Sequence, residues 1–270
     1  MGDKFIFETE QLLRPHGTGR EFQAETIGVG GDESGLAASA MRERPAVAYV
    51  RELLAACKVY HFHDTSQNAA VKQFAPTADN IALRGDAGNL AAVLLSLRDS
   101  DRPAYQRITR AVTQVAPFFR DFVLEPENDS IRLRWRQRDS SVVFSADQLS
   151  DGTLRFICLA TLLLQPTMPK LVVLDEPELG LHPYAIVQLA DLLRQAATRS
   201  QVVLATQSVT LINQFELADL IVVEGGKDGS TFERPSGERL GAWLDEYSLG
   251  DLWEKNLIGG RPGNPGKGTR

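Results

Sequence analysis

From residue 149 onward the apolar positions fall into short unbroken runs separated by amphipathic stretches. KLVVL (170–174), QVVLAT (201–206) and DLIVVE (219–224) are each the length of one strand. Residues 150–165, 183–198 and 208–215, which lie around and between them, repeat their apolar positions at helical spacing. Near-continuous apolar strands joined by helices predict a parallel sheet covered on both faces. The upstream pattern differs. Residues 4–13 alternate apolar and polar and predict a strand. Residues 14–44 are rich in Gly, Glu and Arg with little period, which predicts hairpin loops or a mobile segment. Ala46, Val47, Val50, Leu53, Leu54 and Cys57 recur at helical spacing behind Pro45, a good first-turn residue. A short strand over 59–63, helices over 89–97 and 103–115, and strands over 119–124, 130–136 and 141–145 complete the reading. No internal repeat is present.

Composition narrows the class. With 43% apolar and 24% charged residues the chain can bury a core, and 270 residues suffice for one large domain or two modest ones. A net charge of −6 argues against a globally basic nucleic-acid binder and leaves room for a local basic patch. The two cysteines, Cys57 and Cys158, are far apart and form no metal-like spacing, which fits a reducing cytoplasm. No apolar run approaches the length of a membrane span, and the charged start MGDK does not read as a signal peptide.

Two motifs carry chemistry. In LVVLDEP a buried strand delivers Asp175 and Glu176 to its C-terminal end, where ligands bind in open α/β sheets. Adjacent charges at the mouth of an apolar strand are costly unless an ion or ligand uses them. In nucleotide hydrolysis the first acid can act on Mg²⁺ and the second can polarise the attacking water. One helix upstream lies LSDGT (149–153). Ser150 or Asp151 can cap that helix, Gly152 permits close backbone approach, and a helix N-terminus attracts anions.

In this order LSDGTLRF, LVVLDEPELGLHP and ATQS resemble the RecF/SMC-like, ABC-type ATPases, and more closely the bacterial predicted ATPases of the AAA-type set that includes the OLD-like proteins. YHFHDTS (60–66), LRGDAGNLAAVL (83–94), STFERP (230–235) and WLDEYSLGDLWEKNLIGGRP (243–262) extend the likeness over most of 45–262. The resemblance implies an α/β fold: a mainly parallel P-loop NTPase-type sheet with a flanking antiparallel β lobe and a helical insert. It also implies ATP and Mg²⁺ as cofactors. Asp175 would act on Mg²⁺ and Glu176 would be the general base. Ser150 and Gly152, with Asp151 between them in the signature, would contact the γ-phosphate of ATP held by an opposite subunit. Gly180 and His182 would lie in the loop crossing a dimer interface. Gln207 would occupy the switch position, where many relatives place histidine; its amide can orient water but cannot carry a proton. The expected organisation is a β-lobe remnant over 1–44, a helical insert and β lobe over 45–145, the C-terminal half of the ATPase over 146–258, and a disordered tail over 259–270.

The phosphate-binding pattern G-x-x-x-x-G-K-[ST] is not found in these residues. In the resembled family its strand lies between the QVVLAT and DLIVVE strands, so two strand edges are expected to face a gap. The expectation is therefore a truncated product, a misplaced start, or half of a split ATPase. Its partner would be a second copy or a complete ATPase joined through ATP, with DNA as a further partner and no membrane. The alternative is a non-hydrolysing subunit that lends signature and interface contacts to a complete ATPase.

Weaker signals are weighed against plain structure. His61 and His63 share a strand face beside Asp64, a conceivable metal pair, but sheet packing or loop hydrogen bonding explains them better. Arg132, Arg134, Arg136 and Arg138 alternate with Ile131, Leu133 and Trp135, forming either a basic strip for nucleic acid or a solvated face paired to Glu125 and Glu127. The second is the expectation. In GDAGN (85–89), Asn89 or Asp86 is expected to cap a helix.

Overall fold

The computed structural model describes residues 6–15, 22–37, 44–226, 229–241 and 243–260, so parts of the expected N-terminal strand, the 14–44 segment and nearly all of the tail lie outside it. Two compact units emerge, Met1–Lys58 and Val59–Arg270.

In the first unit β1 (Glu10–Pro15) and β2 (Phe22–Gly28) form an antiparallel hairpin, followed by helix α1 (Pro45–Ala55). β2 falls in the stretch read as aperiodic. Its side chains are almost all solvated and only Ile27 is buried, so no core imposed an alternation on its sequence. Pro45 stands at the start of α1 as expected.

The second unit begins within β3 (Cys57–Tyr60), a shorter strand than the 59–63 reading. It continues through β4 (Ala75–Pro76), helices α2 (Leu90–Ser100) and α3 (Arg102–Val115), and strands β5 (Phe119–Phe122), β6 (Ser130–Ile131), β7 (Arg134–Gln137) and β8 (Val143–Ser145). The expected 130–136 strand is broken. β6 pairs with β4, whereas β7 lies between β5 and β8 in an antiparallel sheet. The alternation nevertheless holds across the break: Ile131, Leu133 and Trp135 are buried and the arginines face outward. Arg134 lies 3.5 Å from Glu127 and 3.8 Å from Glu125, as expected of a paired face, Arg132 sits over the Phe74 ring, and Arg136 and Arg138 are exposed. Asn89 occupies the N-cap position of α2 without capping it. Its fully buried side chain accepts the Arg84 amide and donates to the Asp79 and Ala82 carbonyls, knotting the preceding loop. The expectation of Asn89 as a cap is thus corrected: its buried amide is taken up by backbone groups of the loop, which leaves it no bond to the helix N-terminus.

The elements that follow are α4 (Asp151–Leu164), β9 (Leu171–Asp175), α5 (Pro183–Ala197), β10 (Gln201–Ala205), α6 (Val209–Ile212), β11 (Val222–Gly226), β12 (Gly229–Glu233) and short helices α7 (Gly237–Leu240), α8 (Trp243–Glu246) and α9 (Leu249–Glu254). β9 is central in the order β10-β9-β3 and runs parallel to β10, with Val172 opposite Val202 and Leu174 opposite Leu204. α4 is the core helix. Leu154 and every residue from Phe156 to Leu164 are buried, and it packs against α2, α3 and α5. A helix apolar all round is stable only when covered all round. The fold is therefore α/β, with a parallel sheet beside antiparallel ones. β11 pairs with β12 and belongs to a different sheet from β10. Among the described residues β10 has no neighbour on its second edge, and Val203 is 44% exposed.

Candidate functional site

The site is built at the C-terminal end of β9. Val172 and Leu174 anchor the strand in the core, and the chain emerges with Asp175 exposed and Glu176 half-buried. Glu176 adopts φ +39°, a left-handed conformation that costs a non-glycine residue about 1 kcal/mol or more. Two backbone bonds hold it there: its amide donates to the Ala205 carbonyl at 2.9 Å, and its carbonyl accepts the Leu179 amide at 3.0 Å. The strand thus turns sharply at its second acid, and Pro177 and Glu178 dive back into the protein. Strain at a surface carboxylate is common at functional sites and uncommon elsewhere.

Beyond β10, Gln207 places its side-chain nitrogen 3.5 Å from Glu176 Oε1, at the limit of a hydrogen bond. Beneath it Glu178 accepts the Thr206 hydroxyl, while its other oxygen is buried without a hydrogen-bond partner. Burial raises the Glu178 pKa above the usual carboxylate range. The Thr206 bond opposes that rise, and the Glu176 and Asp175 charges add to it.

On the other side lies the serine–glycine turn. Ser150 is the N-cap of α4 and accepts the Thr153 amide at 3.2 Å; Asp151 is the first helical residue and is exposed. A Cβ on Gly152 would collide with the Gly180 carbonyl oxygen, so the close approach that Gly152 permits is made here by the chain's own loop. Gly180 has φ +75°, and a Cβ there would collide with the Arg155 guanidinium. His182 caps α5: its Nδ1 accepts the Tyr184 amide at 3.2 Å, which leaves the neutral ring's proton on the exposed Nε2.

Arg155 joins the two sides. Its guanidinium donates to the Leu179 carbonyl at 3.0 Å, the His63 carbonyl at 2.9 Å and the Thr65 hydroxyl at 3.4 Å. His63 Nε2–H in turn donates to the Asp175 carbonyl at 2.8 Å. A cavity of about 10 Å³ lies between His63, Arg155, Asp175 and Glu176, room for roughly one water-sized group. Among the described residues no group of three or more His, Cys, Asp and Glu could hold a metal; the His61 and His63 rings meet edge to face, 6.1 Å between centroids.

The structure thus brings Asp175, Glu176 and Gln207 together at the C-terminal ends of β9 and β10. It sets Ser150 and Gly152 against the Gly180 loop, and places His182 at the head of the next helix. Sequence reasoning missed Arg155, His63 as an Asp175 partner, Glu178 and Thr206. Arg155 and Glu178 were visible only as charged residues inside motifs, a weak signal that becomes strong once their burial is known.

Parallel strands here end in an acid pair and a glutamine, with a serine-capped core helix alongside, in an α/β domain. The chain belongs to the family described as "AAA domain, putative AbiEii toxin, Type IV TA system", whose model matches residues 56–213, more than half of its length. No curated protein matches the chain. Among solved structures, one described under ATP-driven dimerization and DNA-stimulated activation of SMC ATPases is 17% identical with a TM-score of 0.42, covering 56% of this chain and 94% of that one. The Smc head domain with a coiled coil and joint from Pyrococcus yayanosii is 16% identical with a TM-score of 0.41, covering 60% of this chain and 32% of that one. The SMC head domain from Thermotoga maritima is 18% identical with a TM-score of 0.36, covering 54% and 52%. None of these likenesses assigns a role to a residue.

Proposed function

We propose that the chain works in ATP hydrolysis, with its acid pair and serine–glycine turn facing nucleotide held between two subunits. The observation that carries this reading is the strained Glu176, held half-exposed beside Asp175 with the Gln207 amide above it. The donor set fits the cofactors. Magnesium bound with a nucleotide needs only one or two carboxylates, the rest of its shell being phosphate and water, and Asp175 and Glu176 offer such a pair.

When bound, ATP–Mg²⁺ supplies the scissile phosphoanhydride and neutralises its charge. Asp175 would hold the cation, Glu176 would accept a proton from the attacking water, and Gln207 would orient that water. Ser150, Asp151 and Gly152 would present the amides and dipole of the α4 N-terminus to phosphate from the opposite subunit. Gly180 and His182, on the exposed 179–184 segment that also carries Leu179 and Tyr184, would contact that subunit. The phosphate loop would come from a segment outside these residues, in the same polypeptide or in a partner; the second edge of β10, unpaired among the described residues, is where its strand would dock. DNA as a partner, and DNA repair or phage defence as the process, rest on the resemblance alone, since Arg134 of the basic strip is already paired.

A second reading uses the same turn and loop contacts without hydrolysis: a subunit that lends them to a complete ATPase. Equilibrium ATP binding separates the two. The first predicts Mg²⁺-dependent binding once a phosphate-loop segment is joined to the chain, lost in Asp175→Ala. The second predicts no binding in either form, with faster turnover by an added ATPase partner.

A further inference from the structure

Glu178 is an acid for which the hydrolytic reading has no use. It is only 9% exposed, and its side chain crosses from the turn after β9 to the turn after β10. There it accepts the Thr206 hydroxyl, and that same hydroxyl oxygen accepts the Ser208 amide at 3.0 Å. The Ser208 hydroxyl accepts the Leu211 amide at 3.2 Å as the cap of α6. The residues on both sides of Gln207 are therefore fixed, while Gln207 itself is exposed and points its amide at Glu176. The Glu176 amide is bonded to the Ala205 carbonyl, so two cross-links join segment 176–178 to segment 205–208. Packing alone does not explain the acid. A buried carboxylate with one oxygen unpartnered is costlier than an apolar side chain of similar size. What the acid supplies is an acceptor for one particular hydroxyl.

We propose that Glu178, acting through the Thr206 hydroxyl, is a positioning residue that sets the Gln207 amide over Glu176. Its meaning for hydrolysis rests on the reading of Glu176 and Gln207 given above; the geometry it claims does not. The test therefore uses the whole ¹⁵N-labelled chain without nucleotide. It reads amide exchange at Ser208 and side-chain ¹⁵N relaxation of Gln207, the latter assigned by its loss in Gln207→Glu. Thr206→Val removes the hydroxyl at nearly constant volume. It is expected to speed Ser208 exchange about tenfold, as the loss of one hydrogen bond would, and to free the Gln207 amide. Thr206→Ser and Glu178→Gln, which keep the donor and an acceptor, are expected to retain both signals. Glu178→Ala should match Thr206→Val; if it fails to fold, the valine variant carries the test. Unchanged Gln207 relaxation in folded Thr206→Val, or equal disturbance by Thr206→Ser, would overturn the proposal. Failure of the hydrolytic reading would show separately, as no ATP turnover by the chain joined to a phosphate-loop segment while these signals stay intact.

Discussion

At the scale of single residues, the site depends on backbone contacts as much as on charges. Gly152 lies in the first turn of α4, where alanine ordinarily favours a helix by about 1 kcal/mol. Here a methyl group would enter the Gly180 carbonyl, a backbone atom that cannot swing aside. Gly152→Ala is therefore expected to lower stability by about 1–3 kcal/mol in urea unfolding, the usual cost of overpacking; a gain would show that the turn and the 179–181 loop do not touch. Glu178 gives a pH signature. Its folded pKa is raised by burial above the reference value of 4.5, so its protonated form favours the fold. That contribution is full below the unfolded pKa and is lost as pH rises through the folded one. Glu178→Gln cannot titrate. The stability of the native chain relative to this variant should rise as pH falls from 7 toward 4.5, as measured by unfolding at each pH. A difference that stays flat with pH would show that Glu178 is not buried as an acid.

At the scale of elements, legibility followed burial. α4, β9 and α5 were readable because each has a buried side whose period its sequence must honour, and β10 because Val202 and Leu204 pack half-buried against the core while its alternate positions are exposed. β2 was not, since a hairpin strand with one buried residue carries no such period. The acids, the turn and Gln207 were readable as motifs at element ends. Arg155 and His63 were not, because their partners are carbonyls of distant segments and no residue type marks a carbonyl. Arg155 clasps α4, the 61–65 loop and the turn after β9. A lysine there has one ammonium for three acceptors set apart in space. Arg155→Lys is expected to cost about 2 kcal/mol and to speed amide exchange at Leu179 and Leu181 more than at β10. Uniform change across the chain would show a general packing defect and no clasp.

At the scale of the whole molecule, the parallel sheet has an unfinished edge. β10 has no neighbour on one side among the described residues, and Val203 on it, Ile221 just before β11 and Val223 within β11 are 44%, 50% and 47% exposed. Open apolar edges invite strand pairing, and lysine on an edge opposes it. Val203→Lys should leave the melting temperature nearly unchanged and reduce concentration-dependent association in light scattering. Association unaffected by it would place the sticky surface elsewhere.

The central claim is that Glu176 takes the proton from water at a magnesium–nucleotide site. Steady-state ATP turnover measures it, for the chain alone and for the chain joined to a phosphate-loop segment, each with and without Glu176→Gln. The prediction is turnover in the joined form alone, reduced about 100-fold or more by the substitution, as loss of a general base entails. Equal turnover in all four proteins would contradict it.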